Sequence, residues 1–273
     1  MLEILFLGTA AAEGYPGAFC NCRNCLRAKE EGGRSLRKRS AIAINGELLV
    51  DLPPDLYSSA IQHGMDLSRL RSILVTHSHS DHFSPGILEF RKRPFAFTPL
   101  PKLKLFCNEP LLHVVESAIG GMEGAKLEPR PVSPFEEYRA GRYSFTPIPA
   151  NHTASLKGET PLNYVIERGG KAVLYASDTG PYGSEVLDFL LKKRFDAIIV
   201  ECTMGRKFYE RHMNYESVLD FRKQAEGAGA IKKGGKFITT HFAHDGCGTY
   251  PLVRKFFRPH GIDVAYDGML VRI

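Results

Sequence analysis

The sequence predicts a single α/β domain over residues 1–273 in which many short strands alternate with helices. Three observations predict it. Short apolar runs rich in Val, Ile, Leu and Phe recur along the whole chain, and segments with helical spacing separate them. Gly, Pro and Asn punctuate the junctions, with 26 Gly and 17 Pro in all. The composition, 43% hydrophobic and 24% charged, is that of a folded chain, too apolar and varied for disorder or collagen. Only weak likeness between the halves hints at a repeat, and no low-complexity tract or linker divides the chain.

Taken in order, Leu2–Leu7 reads as a strand and Cys22–Glu31 as a helix. Strands Ser40–Ile44 and Glu47–Asp51 precede a helix at Pro54–His63. The strand Ser72–Thr76 is followed by a helix at Pro85–Arg91, where Ser84 offers a cap and proline occupies the first turn. Strand Leu103–Phe106 and helix Pro110–Ile119 follow. Gly120–Gly141, rich in Gly, Pro and Glu, reads as a loop excursion near the substrate. Strands Tyr143–Pro149, Asn163–Glu167 and Lys171–Ser177 then run to a helix at Ser184–Lys193. Strand Asp196–Glu201 precedes a helix at Tyr215–Glu226, which Asn214 caps. The chain closes with strand Lys236–Thr240, helix Pro251–Phe257, and strands Ile262–Tyr266 and Met269–Arg272.

Charge and cysteine usage limit the class. With 36 Lys and Arg against 30 Asp and Glu the formal net charge is +6, which favours an anionic substrate but is spread along the chain. The dense basic patch Arg34–Arg39 lacks interleaved aromatics, so a solvated loop is preferred over a nucleic-acid surface. No apolar run approaches the roughly 20 residues that span a bilayer. The start lacks a basic leader and carries Glu3 within its apolar stretch, so no signal peptide and a cytoplasmic location are expected. In that setting the crowded thiols Cys20, Cys22 and Cys25 read as metal ligands rather than disulfides, while Cys107, Cys202 and Cys247 stand alone.

The chemistry concentrates in Thr76-His77-Ser78-His79-Ser80-Asp81-His82, directly after an apolar strand. In extended chain His77 and His79 point the same way, because side chains alternate with period two. The turn before Ser84-Pro85 then swings Asp81 and His82 to the other side of a shared centre. Imidazole nitrogen and carboxylate oxygen suit zinc and similar cations. Two neighbouring ions need further ligands, and His152, Asp178 and His241 each stand where another apolar strand stops. Alone, Asp178 would be a turn cap and each histidine a hydrogen-bonded core residue; together with the first cluster they converge on one sheet edge.

The order His-x-His-x-Asp-His, then His152, Asp178 and His241, resembles the metallo-β-lactamase superfamily, from Gly8-Thr9 to the last strand. The resemblance implies a four-layered αββα sandwich. It implies two divalent cations, zinc or manganese: His77, His79 and His152 hold one, Asp81, His82 and His241 the other, and Asp178 bridges them. A narrower likeness is to the phosphoribosyl 1,2-cyclic phosphate phosphodiesterases of the carbon–phosphorus lyase pathway. Gly8-Thr-Ala-Ala-Ala-Glu-Gly14, Ser177-Asp178-Thr179, Glu201-Cys202-Thr203, Thr240-His241-Phe-Ala-His244 and Tyr266-Asp267-Gly268-Met269 carry it.

That likeness implies a structural zinc on Cys20, Cys22, Cys25 and His244. Three thiolates and one imidazole also make a closed tetrahedral site on chemical grounds. It places His212 beside the scissile phosphate as the proton donor to the leaving oxygen, an assignment balanced against a simple helix-entry residue, and counts Asp81 with it as catalytic. The implied reaction is hydrolysis of a small cyclic phosphodiester by a metal-bridging hydroxide. Two divalent cations against two aspartates and the hydroxide leave about one positive charge to attract the anion. Arg206 or Lys207 would read a second phosphate, and the family implies a homodimer.

Three departures put the substrate in question. Ala10-Ala11-Ala12 replaces a glycine-rich turn, Glu201 replaces a shorter acid, and Phe90–Pro101 has no counterpart. Competing readings keep the fold and change the substrate to another ester, a lactone or RNA, as in ribonuclease Z-type enzymes. The coenzyme PQQ synthesis protein B branch also carries a cysteine cluster. A non-catalytic metal-binding protein for biosynthesis or regulation is a further class.

Overall fold

Alternation along the strands decides which face each side chain takes. The structure, a computed structural model, describes all residues 1–273 and contains two seven-stranded sheets. The first comprises β1 (Glu3–Gly8), β2 (Ala41–Ile44), β3 (Leu48–Val50), β4 (Ser72–Leu74), β5 (Leu103–Cys107), β6 (Leu127–Pro131) and β14 (Leu270–Arg272), ordered β14-β1-β2-β3-β4-β5-β6. The second comprises β7 (Tyr138–Ala140), β8 (Tyr143–Pro149), β9 (Leu162–Arg168), β10 (Lys171–Ala176), β11 (Phe195–Glu201), β12 (Ile231–Thr240) and β13 (Asp263–Val264), ordered β13-β12-β11-β10-β9-β8-β7.

In β1, Ile4 and Phe6 face the other sheet while Leu5 and Leu7 face outward; in β11, Ala197 and Ile199 face inward while Ile198 and Val200 face outward. Both faces of each central strand are therefore buried, which is why these runs read as continuously apolar. The inner faces meet in one core, where Phe6, Val50, Phe106, Phe145, Tyr164 and Tyr175 pack together. Helices α2 (Leu56–Gln62) and α3 (Glu109–Ile119) cover the first sheet through Leu56, Leu111, Val115 and Ile119. On the second, α4 (Ser184–Leu191), α5 (Tyr215–Gly227) and α6 (Tyr250–Phe257) bury Leu190, Val218, Phe221, Val253 and Phe257. Each large apolar side chain so buried contributes about 1.5–3 kcal/mol. The result is the expected four layers, helix, sheet, sheet, helix. No helix is long and apolar enough to cross a membrane.

Strands β3 to β6 run parallel to one another, as do β10 to β13, so carboxyl ends gather where connections leave the sheets. The sheets are joined at that end: Tyr164 Oη donates to the carbonyl of Val75 at 2.6 Å and Leu162 N to that of Thr76 at 2.9 Å.

Four expectations change. Gly120–Gly141 is not a loop throughout: β6 and β7 lie within it, each at the edge of a sheet. Proline and glutamate mask them in sequence, and an edge is where a strand tolerates proline. Strand β12 begins at Ile231 rather than Lys236, because its first half, interrupted by Gly234-Gly235, is largely solvent-facing and lacks an apolar pattern. The segment Pro85–Arg91 is a 3-10 helix, and β13 is two residues, shorter than Ile262–Tyr266.

Candidate metal centre

After β4 the chain continues extended through Thr76 and then turns, with the amides of His82 and Phe83 donating to the carbonyl of His79 at 2.9 and 2.8 Å. This turn separates the segment into two halves. His77 Nε2 lies 2.9 Å from His79 Nδ1, and His79 Nδ1 lies 3.1 Å from His152 Nε2. On the other side, His82 Nε2 lies 3.3 Å from Asp81 Oδ2 and 3.1 Å from His241 Nε2. Asp178 Oδ2 belongs to both groups, at 3.2 Å from His77, 3.3 Å from His152, 3.3 Å from His82 and 3.9 Å from His241. Atoms each about 2.0–2.2 Å from one tetrahedral ion stand about 3.5 Å apart, so both groups have the spacing of shared ligands.

The residues behind these ligands fix ring orientation. Asp51 Oδ2 lies 2.7 Å from His82 Nδ1, while its Oδ1 accepts from Thr76 N and Oγ1, each at 2.8 Å. Thr203 Oγ1 lies 2.8 Å from His241 Nδ1, Thr76 Oγ1 3.0 Å from His77 Nδ1, and the Arg211 carbonyl 3.3 Å from His152 Nδ1. Engaging Nδ1 leaves Nε2 of all four rings directed at the centre. Asp51, Asp178 and His241 have φ of 69°, 58° and 56°, a left-handed backbone that residues with a Cβ seldom adopt. Such strain is held by surrounding packing and concentrates at functional sites.

Electrostatics favours cations here. Asp51, Asp81, Asp178 and Glu201 are all at most 4% exposed, and buried carboxylates require compensating positive charge. Burial alone would raise Asp81 and Asp178, but the imidazoles of His82 and His241 hold both well below the usual carboxylate range. Burial pushes the His77 imidazole down to about 4 and also lowers His152, which keeps both rings neutral and able to donate a lone pair. His82 moves upward because Asp81 and Asp51 outweigh burial. Asp178 Oδ1 is buried without a hydrogen bond of acceptable geometry, although His212 Nδ1 stands 3.0 Å away. Nitrogen and carboxylate donors with a spare buried oxygen fit divalent cations.

His212 also belongs to this cluster. Its Nδ1 lies 2.8 Å from Glu201 Oε1, and its ring stands 4.9 Å from that of His152. Burial disfavours its cation, but Asp178 and Glu201 reverse this and lift its pKa to about 11. Glu201 also accepts from Thr179 N at 2.8 Å and Thr203 N at 2.7 Å, so one carboxylate joins three loops. Glu201 is therefore the clamp that orients His212. Lys207, a candidate reader of a second phosphate, is paired with Asp245 at 2.8 Å, and Arg206 lies over the Tyr215 ring.

A second cluster gathers Cys20, Cys22, Cys25 and His244, whose ligand atoms all lie within 4.8 Å of one another. All six cysteines are free thiols. Cys22 Sγ lies 3.5 Å from His244 Nδ1, and the amides of Gly17 and Cys22 donate to the sulfurs of Cys25 and Cys20. Burial would raise the Cys22 thiol, but the backbone amide of Cys25 and the His244 imidazole bring it down to about 6. Asn24 Nδ2 donates to the carbonyls of His244 and Cys247, which ties α1 (Arg23–Glu31) to the loop after β12.

Residues 47–242 match the family model described as a beta-lactamase superfamily domain. The chain belongs to this superfamily. The match spans every residue of the His/Asp centre and leaves the cysteine cluster and His244 outside. Coenzyme PQQ synthesis protein B of Acinetobacter baylyi is 26% identical, covering 99% of each chain. Among solved structures, a diphosphatase from the PhnP family superposes with a TM-score of 0.76 at 21% identity over 100% of this chain and 98% of that one. Zinc-bound PqqB from Methylobacterium extorquens also gives 0.76, at 18% identity over 99% and 100%. At these identities the structural likeness concerns the fold.

All seven histidines and aspartates singled out at the strand ends meet here, as do the three cysteines with His244. Asp51 and Thr203 were missed. Asp51 carries a faint signal, an acid closing the apolar run Leu48-Leu-Val50, while Thr203 is marked only as part of Glu201-Cys202-Thr203, with nothing in sequence to show its contact with His241.

Proposed function

We propose that the chain is a dinuclear metal-dependent hydrolase of small phosphodiesters, cyclic sugar phosphates foremost. His77, His79 and His152 would hold one zinc or manganese ion, Asp81, His82 and His241 the other, with Asp178 between them. Cys20, Cys22, Cys25 and His244 would hold a structural zinc. The observation that carries the reading is Asp178, whose one carboxylate faces both triads through Oδ2 and His212 through Oδ1.

Bound cations supply Lewis acidity and lower the pKa of water towards about 7. The rest is done by side chains. Asp51, Thr76, Thr203 and the Arg211 carbonyl hold the ligand rings in one orientation, so no reorganisation is needed when charge develops. Glu201 takes His212 Nδ1 and leaves the opposite ring nitrogen to donate a proton to the departing alkoxide. Counting Asp51 and Glu201 as well, four buried carboxylates and the hydroxide would outweigh two divalent ions by about one charge, so the net attraction expected from Asp81 and Asp178 alone would not survive. The His212 cation would offset that charge and is the cationic side chain at the centre nearest to an incoming phosphate.

A second reading follows from the full-length relatives, which carry the name coenzyme PQQ synthesis protein B; there the same centre would act on an intermediate of that coenzyme. Metal analysis paired with a panel of ribose 1,2-cyclic phosphate, 2′,3′-cyclic nucleotides, esters, lactones and precursor RNA separates these. Two ions at the His/Asp centre and turnover of a cyclic phosphodiester are expected. Metal content with no phosphodiester turnover, or faster cleavage of RNA, overturns the reading.

A further inference from the structure

A cavity of about 630 Å³ opens at the far end of the second sheet, where the β7–β8 and β9–β10 turns meet the starts of β11 and β12. Half of its 14 lining residues are lysine or arginine, against 36 in the 273 residues of the chain. The metal centre lies beyond the opposite ends of β8, β10, β11 and β12, a strand length of about 20 Å away at about 3.3 Å per residue.

The cations are unevenly compensated. Asp196, 7% exposed, takes Lys171 at 2.8 Å and Lys232 at 2.6 Å, and Lys193 lies 3.6 Å from Glu167. The two acids are thus spent on the three lysines, and Lys171 and Lys232 are held against Asp196. Arg139, Arg142, Arg168 and Arg194 face the same space without a carboxylate partner, Arg168 meeting only the hydroxyl and ring of Tyr143. The β9–β10 turn is Gly169-Gly170 with φ of 58° and 76°, so no side chain on it narrows the entrance. Cations gathered in a concavity repel one another and focus a positive field there. Guanidinium groups match phosphate oxygens two at a time. Tyr143, the cavity's one aromatic ring, is buried at 3% exposure and already covered by Arg168, so no ring is free to stack on a base.

We infer that this cavity binds a small polyphosphate anion, at a site separate from the metal centre. The test is calorimetric titration of the metal-loaded full chain with inorganic triphosphate in excess magnesium. The comparison proteins are Arg142→Glu/Arg194→Glu, Arg142→Lys/Arg194→Lys and Asp178→Asn. A saturable site that survives Asp178→Asn, weakens at least tenfold in the glutamate pair and less in the lysine pair, at unchanged Tm, is expected. Binding untouched by the glutamate pair, binding lost in Asp178→Asn, or tighter capture of single-stranded RNA than of triphosphate through the same arginines overturns the assignment.

Discussion

The two sheets contribute to the centre in opposite ways. The first sheet supplies four of the candidate ligand residues from one turn, His77 to His82, plus Asp51 from the end of the neighbouring strand β3. The second supplies single residues, His152, Asp178, Glu201 and His241, each at or beyond the end of a different strand, with His212 arriving from the loop before α5. The contiguous half has its geometry set by local chain direction. The dispersed half exists only when β8, β10, β11 and β12 are in register, and it contains the residue both triads share.

The comparison predicts that the dispersed half is the more sensitive. Asp178→Ala is expected to lower hydrolysis of a bis-aryl phosphodiester by at least about 10³-fold, with loss of bound metal, because it removes a shared charge at the reaction centre. Full activity in that variant would break both the comparison and the mechanism. His212→Gln should cost about 10²–10⁴-fold with a poor alkoxide leaving group but far less with an activated phenolate, at constant metal content. An equal loss on both would show that His212 is not the proton donor.

Asp51→Asn tests the contiguous half. It leaves all ligands in place and should weaken metal affinity by about 10–100-fold, read by competition with a chelator. Smallest for catalysis is Cys22→Ser: a lowered Tm and loss of the metal held at the cysteine cluster are expected, with the His/Asp ions retained. Loss of the catalytic ions in that variant would show that the two clusters do not act separately.

Legibility in sequence followed the same division. His77, His79, Asp81 and His82 announce themselves, since a polar loop with chance histidines is a poor account of three histidines and an aspartate within six residues after an apolar strand. His152, Asp178 and His241 became readable only as an ordered set, because one polar residue at a strand end is equally a cap. Asp51 and Thr203 act through other side chains and resemble ordinary buried polar residues. Glu201 was visible as a departure, but its grip on His212 depends on β11 ending beside the loop before α5. The strands hidden in Gly120–Gly141 went unread because edge strands lack the two-sided apolar pattern that marks central ones.

Period-two alternation and strand-end chemistry, both properties of a few adjacent residues, were determined by the sequence alone: two-sided buried strands, helices between them, and a ligand turn after β4. Which strand ends meet, which carboxylate is shared, and which ring nitrogen each histidine presents were decided by tertiary structure. Those depend on sheet order and on hydrogen bonds between residues as distant as Asp51 and His82, or Thr203 and His241, and no local preference of the chain encodes such a distance.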